Sequence, residues 1–263
     1  MITFISSLVL LILGYALYGK FVERVFGADK NRETPAYTQN DGVDYVPLPW
    51  WKIFLIQFLN IAGLGPIFGA ILGAAYGPIA FLWIVLGCIF AGAVHDYFSG
   101  MLSIRNEGAS IPEVVGKYLG VGFKQFMRGF TVLLMILVGA VFVVGPAGIL
   151  ASLTPESLTK TFWVYAVLVY YILATLLPID KLIGRIYPLF GAALLFMAIG
   201  IGIALVIGDY NLVELSPANF LNMKANASNF PAFPLLFVTI ACGAISGFHS
   251  TQSPLMARCL KNE

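Results

Sequence analysis

Two histidines, one aspartate and two glycine-interrupted apolar stretches are the places where this sequence can do chemistry. His95 and Asp96 sit side by side within the apolar stretch 78–100. An imidazole titrates near pH ~6.5, and a carboxylate beside it can tune a proton relay. Neighbours on a helix point about 100° apart, so adjacency alone does not make them a pair. Asp96 can equally anchor a loop or pair with Arg105. The second candidate is "GAISGFHSTQSP", in which Gly243 and Gly247 flank Ser246, and His249 opens the polar run Ser250, Thr251, Gln252 and Ser253. Those hydroxyls and amides suit an amide or carboxylate ligand, provided the run is unwound. His249 can instead be a satisfied structural histidine. The third candidate is "LNIAGLGPIFGAILGAA", which places Asn60, Gly63, Gly65 and Pro66 in the middle of an apolar segment.

Other chemistries fit less well. The two histidines lie far apart with no HExxH between them, which argues against a zinc site. Gly243-Ala244-Ile245-Ser246-Gly247 misses the G-x-S-x-G spacing of a nucleophile elbow. No glycine-rich loop with a following lysine is present to cradle a nucleotide's phosphates, so ATP is not expected to drive the chemistry directly. No enzyme, cofactor or nucleic-acid partner is expected. The three cysteines, Cys88, Cys242 and Cys259, show no CxxC spacing and read as small buried apolar residues.

The elements that carry these residues belong in a bilayer. Of 263 residues, 59% are hydrophobic and only 11% charged, against roughly 25% charged in soluble domains. Seven segments approach the roughly 17 to 25 apolar residues a spanning helix needs: about 2–19, 52–75, 78–100, 128–151, 161–178, 187–208 and 233–256. With alternating sides, 13 of the 15 Lys and Arg fall on one side; only Lys160 and Lys224 fall on the other. Basic loops stay cytoplasmic. The expectation is a multi-pass protein of the cell (inner) membrane, N-terminus outside, with the long loops 20–51 and 101–127 cytoplasmic. In the second loop, Ser110, Pro112 and Glu113 read as the start of a short interfacial helix. The outer loop contains the triplet Asn226-Ala227-Ser228, which matches a glycosylation pattern and carries no weight here.

Glycine costs about 1 kcal/mol and proline about 3 kcal/mol within a helix, and irregular backbone survives at membrane depth only inside protein or beside a watery cavity. Paired interruptions in corresponding segments point to a transporter's binding site. Segments 52–75 and 233–256 are such a pair, five helices apart and entering from opposite sides. Gly65 with Gly69, and Gly243 with Gly247, also fit the small-xxx-small pattern of close helix packing. The chain reads as one membrane domain: residues 1–51 as N-terminal helix and cytoplasmic linker, 52–208 as a first five-helix repeat, and 209–263 as an outer loop and the start of a second repeat.

The stretches "DGVDY" (41–45), "IAGLGPIFG" (61–69), "AGAVHD" (91–96), "RNEGAS" (105–110) and "FPLLFVTIACGAISGFHSTQSPLMARCLKNE" (233–263) resemble the carbon starvation protein A family of membrane transporters. The resemblance implies an all-α, LeuT-like five-plus-five inverted repeat, of which this chain would be a truncated member. It also implies uptake of peptides, or of a small carboxylate such as pyruvate, coupled to H+ or Na+. Where larger relatives carry a histidine pair before the first glycine break, this chain has Ile56 and Gln57; where they carry glutamine, it has His95. The expected substrate site is Asn60, Gly63, Gly65, Pro66, Gly243, Ser246, Gly247, His249, Ser250, Thr251 and Gln252, with His95, Asp96 and His249 coupling the ion. The alternative is a membrane sensor without transport activity, which would be expected to come with a signalling domain.

Overall fold

A computed structural model describes residues 1–42, 44–176, 179–208, 210, 212–218, 220 and 231–263, with the side chains of 179–187 left out. Lys224, the Asn226-Ala227-Ser228 triplet and the side chains of Lys181 and Arg185 therefore lie outside the described residues. Among the described residues every regular element is helical, and Glu33 and Asn262 form an isolated antiparallel bridge.

Apart from one turn at Pro35–Thr38, the helices run in chain order as α1 (Ile2–Phe26), α2 (Trp50–Ile61), α3 (Leu64–Ala74) and α4 (Ile79–Arg105). They continue as α5 (Ile111–Leu119), α6 (Val121–Leu153), α7 (Lys160–Leu176) and α8 (Ile179–Ile207). The last two are α9 (Ala232–Ala244) and α10 (Gly247–Ala257). Among the described residues five spans are long and apolar enough to cross a membrane: α1, α4, α6, the Pro188–Ile207 part of α8, and α9 with α10. The pair α2 and α3 makes a sixth if counted as one span, bent by 47° at its break. The segment expected at 161–178 is α7, apolar but only 17 residues long.

The long loop expected at 101–127 is largely helix. α4 runs on to Arg105, and the chain turns where Glu107 and Gly108 take positive φ of 60° and 77°. α5 begins with a reciprocal cap: the Glu113 carboxylate accepts from the backbone N–H of Ser110 at 3.0 Å and from its hydroxyl at 2.9 Å. Those bonds hold the Glu113 carboxyl below its ordinary value.

Lipid gives helices no hydrophobic reason to associate, so close backbone contact must hold them together. α3 and α9 meet along such a seam. A Cβ on Gly65 would lie 2.9 Å from Cys242 Sγ, one on Gly69 2.6 Å from the Thr239 carbonyl oxygen, and one on Gly243 2.8 Å from Pro66 Cα. Beyond the seam, Tyr76, Ala80, Leu236, Ile240 and Ala244 form a buried cluster, against which Trp83 and Phe237 stack edge-on at 4.3 Å.

The two ends of the bundle differ. At one, the Glu214 carboxylate accepts from the backbone N–H of Ile2 at 2.9 Å and of Thr3 at 2.7 Å, capping the start of α1. At the other, Arg105 at the end of α4 donates to the carbonyls of Phe26 and Gly27 at 2.7 and 3.0 Å.

Candidate functional site

The first break has a simple local cause. α2 stops at Ile61, Gly63 is extended at φ −74° and ψ −173°, and α3 restarts with Pro66 in its first turn, where a missing N–H costs nothing. The second break lies at Ile245 and Ser246, between the two glycines the sequence singled out. Ser246 caps α10 by accepting from the backbone N–H of Phe248 at 3.3 Å.

Here the sequence reading needs correction. The polar run from His249 to Ser253 is helical rather than unwound. Two of its hydroxyls turn inward on their own helix: Ser250 donates to the Gly247 carbonyl at 2.7 Å and Thr251 to that of Phe248 at 2.7 Å. Gln252 donates to the Thr251 hydroxyl at 3.3 Å. An intact backbone ladder nearby offers those groups partners at no cost, and so the run need not unwind.

Both breaks open onto one cavity of about 170 Å³, lined by Asn60, Gly63, Gly65, Pro66, Ser246 and His249 from the expected set. Gly243, Gly247, Ser250, Thr251 and Gln252 are not among its lining residues. Gly243 packs on Pro66, and Gly247 lies close against Leu134, whose side chain would be 3.1 Å from an added Cβ. The sequence reading missed the apolar wall from α6, which is Leu137, Val138, Val141 and Phe142, together with Phe248 and Cys242. Nothing in the apolar run from Val132 to Val144 distinguishes that face from the others. Cys242, expected to be buried, is exposed, because it faces this space one residue before Gly243. All three cysteines are free thiols.

One signal on α6 was readable. Pro146 lies inside the helix and has no N–H for the Phe142 carbonyl four residues earlier. The Tyr171 hydroxyl of α7 donates to that carbonyl at 2.9 Å, satisfying a backbone group beside the cavity.

The electrostatics of the cavity are directional. The 11-residue helices α3 and α10 both begin at it, so two positive dipole ends converge there. The carbonyl ends of α2 and α9 terminate at the same two breaks, offering oxygen atoms to a cation. His249 is 3% exposed, and its Nδ1 lies 3.5 Å from Asp96 Oδ2, within ion-pair range but long for a hydrogen bond. Asp96 Oδ1 in turn lies 2.9 Å from His95 Nδ1, so the neighbours do pair. The Asp96 carbonyl accepts from Ser99 at 2.9 Å and from Ser253 at 2.7 Å, fastening α4 to α10 at this level. Arg105 does not serve Asp96; it pairs with Glu263 at 2.6 Å.

A family model described as "Carbon starvation protein CstA" matches residues 1–159 and 148–263. A Haemophilus influenzae protein described as "Uncharacterized membrane protein" is 46% identical, over 100% of this chain and 84% of its own length. The "Peptide transporter CstA" of Campylobacter jejuni is 30% identical, over 98% of this chain and 46% of its own. The "Pyruvate/proton symporter BtsT" of Escherichia coli is 26% identical, over 98% of this chain and 45% of its own. The chain thus spans about half the length of the Campylobacter jejuni and Escherichia coli relatives, which are named as transporters and not as enzymes. No solved structure matches it.

Proposed function

Since this chain belongs to the carbon starvation protein CstA family, we propose that it is a secondary transporter that imports a carboxylate-bearing solute, bound between α2–α3 and α9–α10 and moved by alternating access. The observation that carries this reading is the convergence of both helix breaks on one cavity that also holds His249. A carboxylate there meets two helix N-termini, the arrangement that favours anions. Pyruvate and every peptide C-terminus share that group. Size favours the smaller acid: 170 Å³ is room for about six waters at ~30 Å³ each. The peptide class is favoured by relatives named as peptide transporters.

The proton is the coupling ion in this reading, carried through His249, Asp96 and His95. The carboxylate stands between the two imidazoles, 2.9 Å from His95 Nδ1 and 3.5 Å from His249 Nδ1. Sodium, held by the carbonyl ends of α2 and α9, is the competing ion. The architecture proposed is the LeuT-like inverted repeat, with α2–α3 and α9–α10 as the equivalent broken helices of its two halves. In the inner membrane, the basic end that carries Arg105 would face the cytoplasm.

The test is uptake of labelled pyruvate and of labelled dipeptides into proteoliposomes, with proton and sodium gradients imposed separately. Accumulation of pyruvate driven by an inward proton gradient is expected. No accumulation of either solute under either gradient would overturn the reading.

A further inference from the structure

The end of the bundle that carries Arg105 is crossed by the chain between α1 and α2. Residues 32–36 run antiparallel to 258–263, the segment that leaves α10: Ala36 donates to the Arg258 carbonyl at 3.1 Å, and Glu263 to that of Arg32 at 3.0 Å. Further along, Leu48 donates to the Cys259 carbonyl at 3.0 Å. The fastening is electrostatic at its centre. The Glu263 side chain is 0% exposed and takes Arg105 Nε at 2.6 Å and Arg32 Nη1 at 3.4 Å. A buried carboxylate that loses such partners is left as an uncompensated charge, so the pairing holds strongly while it lasts.

The two helices joined at this point are the two that carry the proposed proton relay. α4 bears Asp96 and Arg105, nine residues or about 13.5 Å apart along the helix; α10 bears His249 and leads into Glu263. One seam is therefore tied twice, by Asp96 with His249 beside the cavity and by Arg105 with Glu263 at the end. Between the ties the helices touch closely: a Cβ on Gly100 would lie 3.1 Å from that of Ala257.

We propose that residues 28–42 and 44–48 form a strap that closes this end of the cavity, latched by Glu263 to Arg105 and Arg32, and that releasing the latch lets α10 swing from α4 and opens the cavity to that side. The proposal rests on the transporter reading for its purpose, but its geometry does not depend on any substrate.

Native thiols report on it. Cys259 is buried beneath the strap, Cys242 lines the cavity, and Cys88 lies elsewhere on α4. Burial also pushes the Cys259 thiol up from its ordinary value, so it reacts slowly while covered. The experiment applies a membrane-impermeant maleimide to the strap side of vesicles holding the whole chain, with each cysteine read by mass spectrometry. Glu263→Gln and Arg105→Gln should speed labelling of both Cys259 and Cys242 by roughly tenfold or more, with Cys88 unchanged. Arg32→Gln, which removes the longer pair, should do less. Unchanged Cys259, or Cys259 exposed without Cys242, overturns the gate. A matching rise at Cys88 would mean general loosening and would overturn it as well. Labelling needs no transport, so failed uptake leaves the strap standing and a failed strap leaves the uptake test standing.

Discussion

Asp96 faces two imidazoles at unequal distance, 2.9 Å to His95 and 3.5 Å to His249. The two rings differ in access: His249 lies buried against the cavity, while the His95 side chain is 33% exposed. A proton can thus pass between an accessible ring and a sequestered one across a single side chain. Asp96→Asn keeps the shape and removes the charge. Gradient-driven accumulation should fall by roughly 5- to 150-fold, the range that ~1–3 kcal/mol of coupling represents. Exchange of labelled for unlabelled solute, which needs no net proton movement, should persist. Driven accumulation that survives Asp96→Asn unaltered would remove Asp96 from the coupling path. All three residues were legible in the sequence as types. Their meeting was not, because it depends on α10 lying against α4, more than 150 positions apart in the chain.

At the scale of elements, helix breaks were more legible than helix contacts. Gly63 and Pro66 marked the first break because their backbone chemistry forbids a smooth helix there. The second lies between Gly243 and Gly247, the glycines that mark it, but its extension through the polar run does not hold; hydroxyls that return to their own helix carbonyls leave the ladder intact. The glycines carried two meanings, and the structure divides them: Gly63 borders the cavity, Gly69 and Gly243 bring α3 and α9 into contact, and Gly65 does both. That division can be measured. Gly69 has the Thr239 carbonyl 2.6 Å from its missing Cβ, while nothing lies within 4 Å of the same position at Gly139. Gly69→Leu should therefore cost ~1–3 kcal/mol through overpacking. Gly139→Leu should change little. The comparison is the midpoint of thermal aggregation in detergent, followed by size-exclusion chromatography. Equal midpoints for the two variants would mean that the α3–α9 seam is not a tight contact.

The whole molecule is organised by which end each connection occupies, and that pattern rests on charge as much as on length. The sequence assigned 13 of 15 basic residues to one side before any contact was known. In the fold, the start of α1 meets Glu214 at one end, while the end of α1, Arg105 and residues 258–263 gather at the other. α6 leaves the second end beside Lys117 and Asn106, which are joined at 2.8 Å, and its 33 residues rise about 50 Å toward the first. The short link 154–159 before α7 must then lie on the opposite side from the strap. Because basic connections are retained in the cytoplasm, alkaline phosphatase fused after Gln39 should be inactive, and the same enzyme fused after Glu156 should be active outside. A green fluorescent reporter at the two positions should give the reverse pattern. Phosphatase activity after Gln39 would invert the orientation, placing the strap on the outer face and making its latch a gate to the exterior, with the solute path through the cavity read in the opposite sense.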